Sequence, residues 1–294
     1  MRCQKLMMNK KLMINNEFKN LSQNNISEFN FNPHQTIKLL SNKTPKCVAE
    51  YINSFVSPLT IYDPFMKSGE LLIDSYNYIL TINPDIEYEL YGTDIDGDVF
   101  DIGLLKKKLS LINKPVKIYT NKEFLLHDIN SKYNIIISVL PFGTRYNFPS
   151  FKQNFMNINN INDIDFESVF PIRASRIESL VLQKMVYNLE NNGILNILVI
   201  TGFLFGRNQK EFRKWLSVNM NIHSITLILD KYSSIGSCIL LATKNGITTN
   251  IQFRLCDKYF NLQDIGNIDN ILLKNTDYSL APSDYFGPSD YLLI

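Results

Sequence analysis

The sequence predicts an α/β fold with a doubly wound, mostly parallel, seven-stranded sheet of the Rossmann-like type. Short apolar runs alternate along the chain with amphipathic patterns of helical length, as expected for strands joined by crossover helices. The run 133–140 is almost entirely apolar, which is typical of a strand buried on both faces of a parallel sheet. Residues 59–80 read as a strand, a short turn with Gly69 and a helix, the arrangement that forms a ligand crevice in such sheets.

Each element is assigned from its periodicity and from the residues that flank it. In the first half of the chain we predict strands at 59–62, 88–95, 116–119 and 133–140, with helices at 68–80 and 99–112. In the second half we predict helices at 173–190, closed by Gly193, and at 208–218, with strands at 194–200, 222–229 and 238–243, while 249–255 is a candidate for a further strand. The segment 143–172 is polar, rich in Asn and interrupted by proline, so we predict a long loop there.

The chain divides into a short extension and one domain. Residues 1–43 are rich in Asn and weakly periodic, and we predict an N-terminal extension that is partly helical or disordered. Thr44 and Pro45 indicate the first helix of a domain at 44–294, because threonine caps helix N-termini and proline favours the first helical position.

The composition is that of an ordinary globular protein, with 45% hydrophobic and 20% charged residues. The formal net charge of +2 identifies no partner, because nucleic-acid binding depends on a local basic patch. The four cysteines are widely spaced, so neither a disulfide framework nor a metal site is predicted. No apolar run reaches the roughly 18 residues that a membrane span requires, and we expect a cytoplasmic protein.

Acidic residues end the first two predicted strands. Asp63, followed by Pro64, ends the first strand, and Asp94 ends the second. An acid at the end of the second strand commonly binds ribose hydroxyls, so the pair predicts a nucleoside-containing cofactor. Asp63 has an alternative role as a cap of the following helix, whose N-terminus favours a carboxylate.

These elements, in this order, resemble the class I S-adenosylmethionine-dependent methyltransferases. More narrowly, they resemble the adenine-N6 DNA methyltransferases related to the modification subunit of type I restriction systems. The resemblance covers roughly residues 40–290. Its motifs are Thr-Pro at 44–45, Asp-Pro-Phe-Met-Lys-Ser-Gly at 63–69, Tyr-Gly-Thr-Asp-Ile-Asp at 91–96, Val-Leu-Pro-Phe at 139–142 and Ala-Pro-Ser-Asp-Tyr at 281–285.

The resemblance implies S-adenosylmethionine as the cofactor and assigns a role to several residues. Those implied to bind the cofactor are Asp63, Pro64, Gly69, Asp94 and Asp128. In the catalytic motif, Pro141 is implied to shape the turn and Phe142 to stack on a flipped-out base.

Two residues depart from the family pattern. Lys67 stands where the family has glycine, and it adds bulk and positive charge near a cationic cofactor. Val139 stands where the family has Asn or Asp, whose side-chain oxygen accepts a hydrogen bond from the target amine together with a proline carbonyl. Ser138, one residue upstream, points to the opposite face of a strand and could replace that acceptor only through a bulge or a register shift.

The implied function is methyl transfer from S-adenosylmethionine to adenine N6 in DNA, within a restriction-modification-type system. The expected partners are DNA and either a separate target-recognition subunit or an active methyltransferase. Two alternatives remain open: a catalytically degenerate methyltransferase fold that serves as a regulatory or scaffold subunit, and a methyltransferase that acts on a substrate other than DNA.

Four basic residues lie in or beside the segment that follows the fourth strand: Arg145, Lys152, Arg173 and Arg176. Loops at this end of an α/β sheet border the substrate. We therefore expect these side chains to contact DNA phosphates.

Overall fold

Strands and helices alternate through the described part of the chain. The computed structural model describes residues 58–66, 69–82, 84–85, 87–94, 116–120, 124–126, 129–141, 143, 145–228, 236–256 and 262–286. The strands are β1 (Leu59–Asp63), β2 (Tyr88–Asp94), β3 (Val116–Thr120), β4 (Tyr133–Val139), β5 (Leu189–Ile200), β6 (Asn221–Ile228), β7 (Ser237–Thr243), β8 (Asn250–Cys256) and β9 (Leu262–Asp269).

The nine strands form one sheet in the order β3-β2-β1-β4-β5-β7-β6-β8-β9. The first five strands are parallel, and β7 runs antiparallel between β5 and β6. This topology confirms the doubly wound, mostly parallel fold. The sheet extends beyond the seven predicted strands: the candidate strand at 249–255 forms β8, which pairs in parallel with β6, and β9 adds an antiparallel edge.

The strand order reverses between β1 and β4. From β1 the chain proceeds outward to β2 and β3 on one side, whereas β4 and β5 lie on the other side. In open α/β sheets, ligands bind at such a switch point, beyond the carboxyl ends of the strands. The candidate site is therefore expected where β1 and β4 end.

The described residues also form seven helices that accompany this sheet. They are α1 (Glu70–Ile82), α2 (Phe148–Asn159), α3 (Asp163–Val169), α4 (Ile177–Asn188), α5 (Thr201–Phe205), α6 (Lys210–Asn219) and α7 (Asn270–Asn275), with 3₁₀ turns at Arg207–Gln209 and Pro282–Asp284. Within the described residues, no helix combines the length and apolar character needed to cross a membrane. The predicted boundary at residue 44 and the predicted helix 99–112 lie outside the described residues.

The prediction of a loop at 143–172 is wrong, because α2 and α3 occupy most of it. The Asn residues that suggested a loop act as helix caps. Asn147 Oδ1 accepts from the Ser150 amide, and Asn162 forms a capping box with Asp165. Proline at the start of α2 is tolerated because a first-turn amide needs no helical partner.

Aromatic packing explains why this segment folds. The rings of Phe151, Phe155, Phe166 and Phe170 are buried against one another, with centroids 5.0 Å apart for Phe155 and Phe170. These side chains lie four residues apart within each segment, so each segment presents one apolar face. The two helices thereby hold the chain that leads from β4 to α4.

The predicted helix 173–190 is also corrected at both ends. Helix α4 begins at Ile177, and β5 begins at Leu189, before Gly193. Two lysine ammonium groups donate hydrogen bonds to carbonyls at the C-terminus of α4. Lys132 Nζ donates to the carbonyl of Tyr187, and Lys244 Nζ donates to those of Val186 and Leu189. Basic side chains at a helix C-terminus satisfy its free carbonyls and favour its dipole.

The edge strand β9 was not predicted from the sequence. Its residues Leu262–Asp269 are mostly half-exposed and do not alternate clearly between apolar and polar. It pairs with β8, which is buried along most of its length. An edge strand of this kind depends on its neighbour, so its own sequence carries a weak signal.

Candidate functional site

Asp63 joins β1 to β4 at the switch point. It is the last residue of β1 and only 1% exposed. Its Oδ1 accepts a hydrogen bond from the Ser138 hydroxyl over 2.6 Å and another from the Phe65 amide over 3.0 Å. The first bond crosses from β1 to β4, and the second closes the turn that follows β1. Asp63 therefore fixes the geometry of the crevice, while its predicted contact with the cofactor stays a prediction.

Thr93 ties the same turn to β2. Its Oγ1 donates to the carbonyl of Pro64 over 2.8 Å and lies 3.0 Å from the hydroxyl of Tyr62. The Met66 amide donates to the Thr93 carbonyl over 3.1 Å. The predicted cofactor turn is thus attached to both neighbouring strands. Sequence reasoning missed Thr93, although its place beside Asp94 was a usable signal.

Two glycines allow the turn to pack closely. Gly69 has φ of 70°, a left-handed conformation that strongly favours glycine, and its amide donates to the Met66 carbonyl. A Cβ at Gly92 would lie 2.1 Å from Met66 Sδ. The side chain of Met66 therefore occupies space against β2 that a side chain at residue 92 would fill.

Asp94 ends β2, as predicted, beside the end of β1. In the parallel register, Asp63 is opposite Gly92, and Asp94 is opposite Thr120 of β3. Backbone placement thus brings Asp63, Pro64 and Asp94 to one edge of the sheet. Lys67, Asp128 and Phe142 lie outside the described residues, so their roles stay predictions.

A buried lysine holds the segment that precedes Asp128. Lys184, on α4, is fully buried, and its Nζ donates to the Phe124 carbonyl over 2.6 Å. The same ammonium lies 4.5 Å from the centroid of the Phe124 ring. The turn 124–126 is therefore anchored from the second half of the chain, which sequence spacing alone did not indicate.

The carboxyl end of β4 carries no side-chain acceptor at the expected position. Val139 is the last strand residue and is half-buried, and Ser138 is directed to Asp63. The strand is regular from Ile135 to Val139, so neither a bulge nor a register shift brings Ser138 into the place of Val139. Pro141 is half-buried, in the short segment that follows.

A buried glutamate lies against that segment. Glu178, in the first turn of α4, is 2% exposed, and its Oε1 accepts a hydrogen bond from the Gly143 amide over 3.0 Å. Gly143 itself is exposed and has φ of 90°. Sequence reasoning missed Glu178, because an acid near a helix N-terminus is ordinarily explained by the helix dipole.

The chain after Gly143 runs antiparallel to the chain before α4. The Tyr146 amide donates to the Ser175 carbonyl over 2.6 Å, and Arg145 forms an isolated antiparallel bridge with Arg176. Gly143, Arg145 and Tyr146 are thus attached to α4 and to the residues just before it.

Beside this structure lies a cavity of about 520 Å³, lined by residues 147–149 and 173–175. Arg145 and Arg173 are exposed, and Arg176 is half-exposed. These three arginines form no ion pair within the described part of the chain. Lys152, the fourth predicted phosphate ligand, instead pairs with Asp163 over 2.6 Å. The basic surface here consists of the three arginines.

The crevice fits the nucleoside cofactor that the sequence predicts. Gly69 precedes α1, a 13-residue helix whose N-terminus follows the turn after β1. A helix N-terminus favours an anionic group such as the carboxylate of an amino-acid moiety. Asp94 ends the adjoining strand, where a carboxylate suits ribose hydroxyls.

Comparison with known proteins points to one family. A family model described as N-6 DNA methylase matches residues 17–286. Among curated proteins, none matches the chain. Many solved structures do match, so the fold is well represented among known structures.

Three of these structures are related to restriction systems. The type IIG restriction endonuclease BpuSI has a TM-score of 0.62 at 14% identity, over 83% of this chain and 31% of that chain. The type I restriction-modification methyltransferase subunit from Streptococcus thermophilus has a TM-score of 0.59 at 19% identity, over 83% and 59%. The EcoKI M protein has a TM-score of 0.55 at 14% identity, over 88% and 56%. This chain spans less than two thirds of each, and the likeness establishes the fold.

Proposed function

Because this chain belongs to the N-6 DNA methylase family and its cofactor is S-adenosylmethionine, we propose that it transfers a methyl group to N6 of adenine in DNA. The observation that carries the proposal is the family match over residues 17–286. The crevice at the switch point supports it, because Asp63 and Asp94 end neighbouring parallel strands there.

The residues of this chain act mainly by positioning. When bound, S-adenosylmethionine supplies an electrophilic methyl group, so no strong base is required and orientation provides much of the rate. Asp94 accepts hydrogen bonds from the ribose, and the N-terminus of α1 binds the cofactor carboxylate. Asp63 holds the turn in place through Phe65 and Ser138.

Pro141 and Phe142 hold the target base. The base must leave the duplex to reach the crevice, and an aromatic ring stabilises it there by stacking. Arg145, Arg173 and Arg176 contact the DNA backbone beside it, since arginine readily binds phosphate oxygens. The three arginines position DNA without reading its sequence.

Sequence recognition comes from a partner. One similar structure is described as a modification subunit of a putative type I restriction enzyme, and another concerns complex assembly of a type I restriction-modification system. By analogy, a separate target-recognition subunit places this chain on its DNA site. We place the protein in the cytoplasm.

One observation favours a second candidate function. Val139 provides no hydrogen-bond acceptor where the family uses Asn or Asp. A chain that binds the cofactor without methylating DNA would serve as a regulatory or scaffold subunit of a complex with an active methyltransferase.

A methyl-transfer assay tests the proposal. The protein is incubated with S-adenosylmethionine carrying a deuterated methyl group and with DNA from an adenine-methylation-deficient bacterium, and the digested nucleosides are analysed by mass spectrometry. We expect deuterated N6-methyldeoxyadenosine. Asp94→Ala should reduce it strongly, whereas Asp85→Ala, in the exposed turn before β2, should not.

Cofactor binding without a labelled adenine would favour the second candidate function. Label in RNA, in protein or on cytosine, with none on adenine, would contradict the proposal. A circular-dichroism spectrum of each protein sample serves as the control that the protein is folded.

A further inference from the structure

In the Glu178 carboxylate, one oxygen accepts a hydrogen bond and the other does not. Oε1 accepts from the Gly143 amide, whereas Oε2 is enclosed by protein and has no hydrogen-bond partner in the described structure. Buried polar atoms are nearly always paired, because leaving one unpaired costs free energy. An unpaired carboxylate oxygen therefore suggests a partner that arrives with a ligand.

The position of Glu178 indicates which ligand that is. Gly143, which it binds, follows Phe142 directly and lies four residues after Val139. The two oxygens of a carboxylate lie about 2.2 Å apart, so Oε2 is close to the same segment as Oε1. The unused acceptor is thus next to the motif in which the usual acceptor is missing.

We propose that Glu178 supplies the hydrogen-bond acceptor that Val139 lacks, with Oε2 accepting from the exocyclic amine of the target adenine. The inference rests on the proposed function. It assigns a catalytic role to a residue of α4, 39 positions after Val139 in the chain. The Gly143 amide donates to Oε1 and thereby fixes the orientation of the Glu178 carboxylate.

The chemistry is consistent with a carboxylate in this place. The N6 lone pair forms a bond to the methyl carbon while the carbon–sulfur bond breaks, which leaves a neutral thioether. The methylated nitrogen is then cationic and loses one proton, first to Glu178 and then to water. An acceptor on N6–H stabilises the positive charge that develops on nitrogen, as preorganised groups do elsewhere.

Oε2 does not reach solvent in this structure, so the base gains access to it only when the protein around Glu178 shifts. Gly143, whose amide holds Oε1, is exposed and has a φ that only glycine adopts easily. Exclusion of water from Glu178 strengthens its hydrogen bond to the amine.

Glu178→Gln separates the catalytic role from the structural one. The Gly143 amide requires an acceptor, so the glutamine oxygen takes the place of Oε1 and the NH₂ group takes that of Oε2. A donor then faces the target amine. We expect unchanged thermal stability and a roughly 10²–10³-fold lower rate of methyl transfer, the size found for lost transition-state hydrogen bonds.

Glu211→Gln is a matched control, because Glu211 is an exposed acid in the first turn of α6. Its rate should equal that of the wild type. A Glu178→Gln variant that is stable and retains full activity would overturn the proposal.

A binding measurement makes the test independent of activity. Two fluorescent thymidine oligonucleotides are compared in saturating S-adenosylhomocysteine, one with a central deoxyadenosine and one with deoxypurine, which lacks only the amine. We expect the wild type to prefer adenine roughly 10–100-fold, the size of one hydrogen bond to a charged group, and Glu178→Gln to show no preference.

Equal binding of the two oligonucleotides by the wild type, including no binding of either, would overturn the proposal, as would a preference that Glu178→Gln retains. A preference that depends on Glu178, without any methyl transfer, would support the acceptor and contradict the proposed function. The two claims can therefore fail separately.

Discussion

The Ser138 hydroxyl donates a hydrogen bond to Asp63 Oδ1 over 2.6 Å, and this bond joins β4 to β1 where the strand order reverses. Both residues are 1% exposed. The bond connects the end of β1, where we propose that the cofactor binds, to the strand that leads into the proposed catalytic motif. Its strength should therefore affect both stability and cofactor affinity.

We predict that Ser138→Ala lowers the free energy of unfolding by about 1.5–3 kcal/mol, the range for hydrogen bonds to charged groups. Urea denaturation measures this change. A cycle with Asp63→Ala should show that the two substitutions are not additive, because each of them removes the same bond. Ser224→Ala, on buried strand β6, is the control and should cost less. Additive effects would show that the bond contributes little.

We predict that Gly92→Ala destabilises the protein by about 1–3 kcal/mol, because the added methyl group overpacks the turn. The new Cβ would lie 2.1 Å from Met66 Sδ, so the buried Met66 side chain must shift, together with the turn that carries it. Affinity for S-adenosylmethionine should fall in calorimetric titration. Gly202→Ala, where no heavy atom lies within 4 Å of the added Cβ, should change neither quantity appreciably.

The substitution Met66→Ala should restore part of the cofactor affinity in the Gly92→Ala background. Removing the sulfur removes the atom that the new methyl group meets. If Gly92→Ala binds the cofactor as well as the wild type does, the turn is not part of the cofactor site.

We predict that replacing Arg145, Arg173 and Arg176 together by Gln weakens DNA binding and reduces its dependence on salt. Each lost phosphate contact should lower the slope of log K against log salt by about 0.9 for duplex DNA. Fluorescence anisotropy over a series of salt concentrations measures the slope. Lys152→Gln is the control, because Lys152 already pairs with Asp163. A triple variant with an unchanged slope would place the DNA elsewhere.

We predict a pH-dependent contribution to stability from Lys244. Burial, and next the nearby charge of Lys132, lower its pKa from 10.5 to about 8. Between pH 8 and 10.5 the unfolded chain binds more protons at this lysine than the folded chain does. The free energy of unfolding should therefore rise with pH across that window. Below the window, the contribution of Lys244 no longer changes with pH.

Neutral Lys244 still has two N–H groups for the carbonyls of Val186 and Leu189. Urea denaturation at several pH values should show the rise in wild type and a smaller one in Lys244→Met. Lys214→Met, on the exposed face of α6, should resemble the wild type. Parallel curves for wild type and Lys244→Met would refute the assignment.

The fold could be predicted where one strand carries its own signal. The apolar run of β4 and the acids that end β1 and β2 identified the sheet and its crevice. The segment 143–172 was misjudged, because its Asn residues are caps and its phenylalanines bury against one another only once α2 and α3 are folded. Caps and loops share residue types, and composition does not separate them.

The candidate site was predictable in part for a similar reason. Asp63, Gly69 and Asp94 follow local motifs and lie at the expected edge. Glu178 and Lys184 reach the site from α4, which lies far along the chain from Gly143 and Phe124. Such contacts depend on packing between distant segments, so no local pattern reveals them.

The central claim is that the crevice between β1 and β4 binds S-adenosylmethionine. Calorimetric titration of the folded protein with this cofactor and with S-adenosylhomocysteine tests it most directly. The account predicts saturable binding of both in the micromolar range, weakened by Asp94→Ala and unaffected by Asp85→Ala. A folded protein that binds neither ligand at millimolar concentration would contradict it.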